Sequence, residues 1–244
     1  MFFESSPSHQ LDPEKARQLV EQGFAIIDGP YSPLEIDHLS KAFDEALATA
    51  NPSDVRVSSS TRAWDIVSRT AEFQRVYTHP PLLQACRIVI GDAFRLSATC
   101  FRALNPGACA QPLHVDVKVR GEGWPILGFI LMVDEFSPQN GATRFVRRSH
   151  ERAYAPSTPM PDAHLSEDAE TLACGPAGAM IIFNGSVWHG HSDNVTPRQR
   201  RSIQGHFIPR HAASALDYGA RLRPEALARL GATERYVLGL QSAV

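Results

Sequence analysis

The chain has 244 residues, 43% of them hydrophobic and 20% charged, with 16 glycines, 18 prolines and a formal net charge of −2. Such a composition excludes intrinsic disorder, collagen and coiled coil. The near-neutral charge disfavours a nucleic-acid or membrane-surface partner, which would require a basic excess.

The length suits a single domain over 1–244, large enough to bury a core without disulfide or metal staples. The opening MFFESSPSHQ has no basic stretch and no long apolar run, so no signal peptide is expected. The longest apolar run, Ile126–Val133, falls far short of the ~20 residues of a membrane helix. Cys86, Cys100, Cys109 and Cys174 form no CxxC pair. Free thiols in a cytoplasmic protein are the expectation, with Cys86 and Cys100 as small buried hydrophobes.

In chain order, Asp12-Pro13 opens a helix that Gly23 closes, and GFAIID (23–28) reads as a strand. Ser32-Pro33 starts a second helix, with Leu34, Ile36, Leu39, Phe43 and Leu47 on one face. A looser helical stretch runs from Glu72 to Ile90, split by Pro80-Pro81 and ended by Gly91. From Phe94 the texture changes. FRLSATCFRAL alternates and reads as a strand. HVDVKV, ILGFILMV, ATRFV, AMIIF, SVWHGH and SIQGHFI follow as short strands, punctuated by Asn105-Pro106-Gly107, Asn140-Gly141 and Gly175-Pro176-Ala177-Gly178. RPEALARLGATERYVLGL returns to helix. The pattern predicts a β-rich α+β domain: a helical part over about 10–92, a β core over about 94–210, and a helical tail. The polar stretch 153–172 is long for a compact domain and is a candidate lid.

The sharpest chemical feature is His114-Val115-Asp116. On a strand, residues i and i+2 share a face, so an imidazole and a carboxylate would project together. By itself this pair is a common accident. Further on come His189-Gly190-His191 and Arg200-Arg201-Ser202. Two histidines and a carboxylate on one face of an octahedral ion make the facial triad of non-haem Fe(II) oxygenases, which leaves positions open for a 2-oxo acid and O2. An anionic cosubstrate needs a cation at the far end of its pocket, and the arginine fork pairs a carboxylate bidentately. Alternation puts Arg200 and Ser202 on one strand face and Arg201 on the other, unless a bulge intervenes.

These residues resemble the phytanoyl-CoA dioxygenase family of Fe(II)/2-oxoglutarate-dependent oxygenases. The shared pattern is His114-x-Asp116, then Asp134…Asn140-Gly141…Ser149-His150, then His189-Gly190…Asn194 and Arg200. THPPLLQACRIVIGDAFRLSATCFRALNPG is similar too, so the likeness covers about residues 60–210. Arg148 stands where the family usually has glycine.

The resemblance implies a double-stranded β-helix, a jelly-roll or cupin-like barrel flanked by N- and C-terminal helices. It implies Fe(II) bound by His114, Asp116 and His189, with His191 the second candidate for the last position. It implies 2-oxoglutarate bound by Arg200, with Ser202 and Gln111 assisting, and O2 as cosubstrate. No catalytic residue beyond the metal ligands is expected. Hydroxylation of an aliphatic C–H of a small molecule, releasing succinate and CO2, is the implied reaction. Asp116 favours this over halogenation, in which a small residue replaces the carboxylate. Desaturation, cyclisation and epimerisation share the ligands. A non-catalytic metal-binding barrel would have no use for Arg200 and Ser202, and a zinc hydrolase would need a general base that the sequence does not reveal.

Arg62, Trp64, Phe101, Trp124 and His191 are candidates for the substrate pocket, although core packing is the commoner fate of aromatics. The basic run Arg144, Arg147, Arg148, His150 and Arg152 could hold an anionic substrate, although such runs are more often solvated. Asn194 could simply hold a turn. The expected partner is a small molecule, with neither nucleic acid nor membrane, and the expected state is monomer or homodimer.

Overall fold

The computed structural model describes residues 10–64, 67, 72–116, 124–151 and 170–240. Helix α1, Pro13–Gln22, begins where the Asp12 carboxylate accepts the amides of Glu14 and Lys15 at 2.7 and 3.2 Å. Proline at its first position costs no helical hydrogen bond. Gly23 ends the helix in the left-handed region at φ 90°. Strand β1, Phe24–Asp28, follows at once.

A 3-10 turn at Pro33–Glu35 leads into α2, Ile36–Ala48. The tighter period of that turn rotates Leu34 off the α2 stripe, and it stands 95% exposed rather than on the expected face. Leu39 and Phe43 are fully buried, and Ile36 and Leu47 pack partly against the same core. Two short strands were not legible, β2 (Val55–Val57) and β3 (Ser60–Trp64). They are only three and five residues long, and β3 is held by pairing with its longer neighbour, Trp64 opposite Cys100. The expected helical stretch appears as α3 (Gln74–Tyr77) and α4 (Pro80–Val89), broken at the prolines.

The remaining strands are β4 (Phe94–Leu104), β5 (Leu127–Met132), β6 (Thr143–Val146), β7 (Glu170–Ala173), β8 (Ala179–Asn184), β9 (His189–His191) and β10 (Arg200–Pro209). Two of the expected strands differ, and one more strand was not expected. Residues 114–116 carry an isolated bridge at His114 rather than a strand, and 117–119 lie outside the described residues. Only His189–His191 of SVWHGH is strand. Residues 170–172 of the candidate lid belong to β7, and 153–169 lie outside the described residues. The tail is three short helices, α5 (Tyr218–Arg221), α6 (Pro224–Ala228) and α7 (Ala232–Val237), the last two separated by Gly231.

Among the described residues the strands form two antiparallel sheets. The larger has the order β1-β8-β5-β10-β4-β3-β2 and the smaller β7-β6-β9. Facing sheets of this kind are the architecture of a jelly roll. Alternation sorts the large sheet's side chains into two cores. Phe101, Phe129, Leu131, Ile182 and Ile203 join the helical residues Leu19, Leu39, Phe43 and Leu82 in one. Ile130, Met132, Ile181 and Phe183 join Phe136 and Phe145 of the small-sheet side in the other. Strands covered on both faces read as continuous apolar runs, as ILGFILMV does. Between the sheets, where polar side chains replace this second core, lies a cavity. No described helix is long and apolar enough to cross a membrane.

Candidate metal centre and its cation-rich pocket

The segment 107–116 is zipped along the edge of β9 and its flanks. His114 and His189 exchange both backbone hydrogen bonds at 2.9 Å. The Gln111 amide donates to the His191 carbonyl at 2.9 Å, and the Asp116 amide to that of Gly185 at 2.8 Å. The Asp193 carboxylate accepts the Ala110 amide at 2.8 Å. Gly190 makes this close approach possible, since a Cβ there would lie 2.8 Å from the Gln111 carbonyl oxygen. An irregular segment is thereby held as firmly as a strand.

His114, Asp116 and His189 converge, with one donor atom from each lying within 4.8 Å of the others. Asp116 Oδ1 is 3.8 Å from His114 Nε2, and Oδ2 is 3.7 Å from His189 Nε2. Each imidazole donates its other nitrogen to a carbonyl, His189 Nδ1 to Val187 at 3.0 Å and His114 Nδ1 to Pro112 at 3.3 Å. A carbonyl only accepts, so Nδ1 carries the proton and the Nε2 lone pairs face Asp116. Burial holds His189 below the usual imidazole range, which keeps it neutral, while Asp116 opposes that shift. The donor set fits a divalent ion that prefers nitrogen and oxygen. His191 is not part of this cluster. Its Nδ1 donates to the Ser192 carbonyl at 2.9 Å, and burial lowers its pKa to about 4.

The cavity beside the triad has a volume of about 300 Å³. Arg62, Trp64, Gln111 and His191 line it, as expected, together with Arg102, Cys100, Thr143, Gln204 and His206, which the sequence reading did not single out. Two candidates fall elsewhere. Phe101 faces the helices, fully buried edge-on against Phe43 and Phe73, because it sits one residue out of phase with Cys100 and Arg102. Trp124 is half-buried and not among the cavity's lining residues. The missed residues had a weak signal: Arg102 and Cys100 share a face of FRLSATCFRAL, and Gln204 and His206 continue the Arg200–Ser202 phase.

That phase survives on β10. The register shift falls after His206, between it and Phe207, so Arg200, Ser202 and Gln204 keep one face. Arg200 is fully buried on the same face of β10 as the cavity-lining Gln204, with its guanidinium 4.0 Å over the Phe136 ring, and neither it nor Ser202 is among the residues that line the cavity. None of its three nitrogens has a hydrogen-bond partner. Burial lowers its pKa to about 9, with Arg102 adding to the effect and Asp134 opposing it. The Ser202 hydroxyl donates to the Arg102 carbonyl at 3.3 Å and accepts from Gln204 Nε2 at 3.2 Å.

Other matched motif residues are structural braces. The Trp188 amide donates to the buried Ser149 hydroxyl at 2.8 Å, and His150 Nε2 donates to the Val20 carbonyl at 2.9 Å. Asn194, fully buried, donates to the carbonyls of Asn105 and Arg198 and accepts from the Thr196 amide and hydroxyl. Arg148 adopts φ 61°, the left-handed conformation that glycine would take without strain. The basic run does not face the cavity: Arg144 pairs with Glu170 and Arg148 with Glu151, and Arg152 lies outside the described residues.

The family model for phytanoyl-CoA dioxygenase (PhyH) matches residues 19–202. The chain belongs to the phytanoyl-CoA dioxygenase family. Its enzyme class is that family's, a dioxygenase. It is 30% identical over 220 residues to the dioxygenase trt7 of Aspergillus terreus, covering 82% of this chain and 74% of that one. Its fold is similar to that of EctD from S. alaskensis, solved with 2-oxoglutarate and 5-hydroxyectoine, at TM-score 0.74 and 19% identity over 98% of this chain and 90% of that one. HygX from Streptomyces hygroscopicus, solved with nickel and 2-oxoglutarate, superposes at TM-score 0.67 and 16% identity over 84% of this chain and 89% of that one. The double-stranded β-helix expected from the motifs is the fold found.

Proposed function

We propose that this dioxygenase works as a single domain that holds Fe(II) through His114, Asp116 and His189, binds 2-oxoglutarate through Arg200, and hydroxylates an aliphatic C–H of a small molecule. The observation that carries the reading is Arg200: a fully buried guanidinium with no partner on any nitrogen. Buried charges are normally paired, because an isolated one costs several kcal/mol. A fold that leaves one bare on the strand face that continues into a cavity is built for an anion that arrives later. A dicarboxylate spanning from the metal to this guanidinium meets that need.

Iron, when bound with its cosubstrate, supplies O2 activation coupled to decarboxylation of 2-oxoglutarate to succinate and CO2. The chain supplies geometry and exclusion. The two Nδ1–H bonds to backbone carbonyls fix the imidazole planes. Asp116 provides the anionic donor and fills the position through which halide would enter. Ser202 adds a hydroxyl on the strand face of Arg200, and Gln111 lines the cavity beside the triad. Phe129, Ile130 and Phe183 give the cavity apolar walls that limit water. A zinc hydrolase has no use for the cationic end, and among the described lining residues Asp116 is the only carboxylate.

The test is anaerobic absorption spectroscopy of the apo-protein given Fe(II) and then 2-oxoglutarate. A weak visible charge-transfer band that needs both additions is the expected result, with Arg200→Ala requiring far more 2-oxoglutarate. No band, accompanied by tight zinc binding, would sink the reading.

A further inference from the structure

The pocket holds more positive charge than a cosubstrate consumes. Arg62, Arg102 and Arg200 all lie on the cavity side of adjacent strands, Arg62 directly opposite Arg102 and Arg102 directly opposite Ser202. Like charges directly across a strand pair are destabilising unless something answers them. No described carboxylate does. Among the described residues the buried Arg102 guanidinium makes only a 3.3 Å bond to the Ser60 hydroxyl. Arg62 has no hydrogen bond or ion pair among the described residues, and its buried Nε is unpartnered.

The charges do not balance with the cosubstrate alone. A divalent metal, the Asp116 carboxylate and a dicarboxylate sum to one negative charge against three guanidinium groups. One bidentate arginine uses two of the roughly four lone-pair sites of a distal carboxylate. Arg200 takes two, and Arg102, on the neighbouring strand, has free guanidinium donors for the other two. Arg62 lies on β3, two strand spacings from β10, or about 10 Å, and is the one of the three that is only half-buried. Trp64 shares its strand face and lines the cavity beside it.

Resting on the function proposed above, we infer that the substrate to be oxidised is an organic acid, and that Arg62 holds its carboxylate with the Trp64 ring packing against the adjoining carbon chain. Arg62 is then a specificity determinant for the substrate rather than a cosubstrate ligand. It fixes which carbon of the acid reaches the metal.

The experiment titrates the anaerobic Fe(II)/2-oxoglutarate complex with matched probes, hexanoate and 3-phenylpropionate against hexanamide and 3-phenylpropanamide, and reads the shift of the visible band. Wild type, Arg62→Gln and Arg62→Lys are compared, and the 2-oxoglutarate midpoint is measured in each. The expected result is about tenfold or greater preference for acid over amide in wild type. Arg62→Gln loses that preference, Arg62→Lys keeps part of it, and the 2-oxoglutarate midpoint moves less than about threefold. Equal binding of acids and amides by wild type would overturn the inference. So would an Arg62→Gln variant that keeps the preference, or one whose main defect is a tenfold or larger rise in the 2-oxoglutarate midpoint, which would assign Arg62 to the cosubstrate. Failure of wild type to develop the band at all, before any probe is added, would instead sink the function on which the inference rests.

Discussion

The two faces of β10 treat neighbouring arginines in opposite ways. On the outer face Arg201 pairs with Asp134 at 2.6 Å and Asp44 at 2.8 Å, and its amide donates to Asp134 at 2.7 Å. This ties α2 to the end of β5. On the inner face Arg200 is more deeply buried, and its guanidinium has no hydrogen-bond partner among the described residues. Sequence composition does not distinguish the two. The outer face is completed by the chain itself, whereas on the inner face no described residue answers the guanidinium. The same contrast separates Ser149 and Asn194, whose hydrogen bonds are satisfied, from Arg62, whose buried Nε is not, and Arg200, none of whose guanidinium nitrogens is.

The metal end of the inner face carries the largest expected effect. His189→Ala should remove Fe(II) binding at micromolar metal and lower succinate formation by three orders of magnitude or more, about 4 kcal/mol. His191→Ala should leave Fe(II) stoichiometry at one, because His191 lies outside the cluster. Metal analysis of both purified variants decides. If His191→Ala loses iron while His189→Ala keeps it, the ligand assignment is wrong.

The arginine pair gives the next effect and tests the comparison directly. Arg200→Ala should raise the 2-oxoglutarate requirement by about a hundredfold, roughly 3 kcal/mol, as expected for loss of a buried charge-assisted pair. It should leave the ligand-free protein as stable as before or more so, since it removes an unpaired buried charge. Arg201→Ala should do the reverse, costing about 2 kcal/mol of stability with little change in 2-oxoglutarate midpoint. Thermal denaturation with and without cosubstrate separates the two. Equal destabilisation by both would show that the faces do not differ as argued.

A linked prediction uses the unmodified protein. Burial depresses Arg200 to about 9 by stripping water from the charged form, so charge on Arg200 costs stability at neutral pH until an anion pairs with it. Fe(II)-loaded protein at a hundredfold excess of 2-oxoglutarate over its Kd should gain about 2.7 kcal/mol, which corresponds to about 5–10 °C for a chain of this size. Succinate, which lacks the keto group, should give less. No thermal shift with 2-oxoglutarate would contradict the pocket assignment.

How much of this was legible follows the same division. The HxD pair, the HxH pair and the Arg200/Ser202 alternation are short-range patterns, and strand periodicity is enough to give their facing. Leu39 and Phe43 were legible as helix-face core for the same reason. Long-range partners were not. That Asp134 answers Arg201, or that Arg62 lies opposite Arg102, depends on register between strands far apart in the chain. Arg102 was hidden inside an apolar strand, where a single charge reads as an exception. Phe101 was misplaced for want of phase: one residue's shift turns a pocket wall into core. Segment 114–116 read as a strand because its alternation is strand-like, yet its partner β9 is only three residues long.

The smallest effect concerns the turn before Ser149, on the side of the molecule that the chain completes by itself. Arg148 is the one described non-glycine residue with positive φ, at 61°. A left-handed conformation costs an L-residue roughly 1–2 kcal/mol, while glycine adopts it freely but loses about 0.5–1 kcal/mol more backbone entropy on folding. Arg148→Gly therefore has a net gain of about 0.5 kcal/mol. Its ion pair with Glu151 at 3.2 Å is exposed and offsets little of this. The expected rise in Tm is about 1–2 °C, with the 2-oxoglutarate midpoint unchanged because the turn braces Ser149 and not the cavity. Arg148→Ala separates backbone from side chain: it keeps the strain, loses the pair, and should not gain. A rise in Tm for alanine equal to that for glycine would show that the guanidinium, not the left-handed backbone, is what the turn pays for.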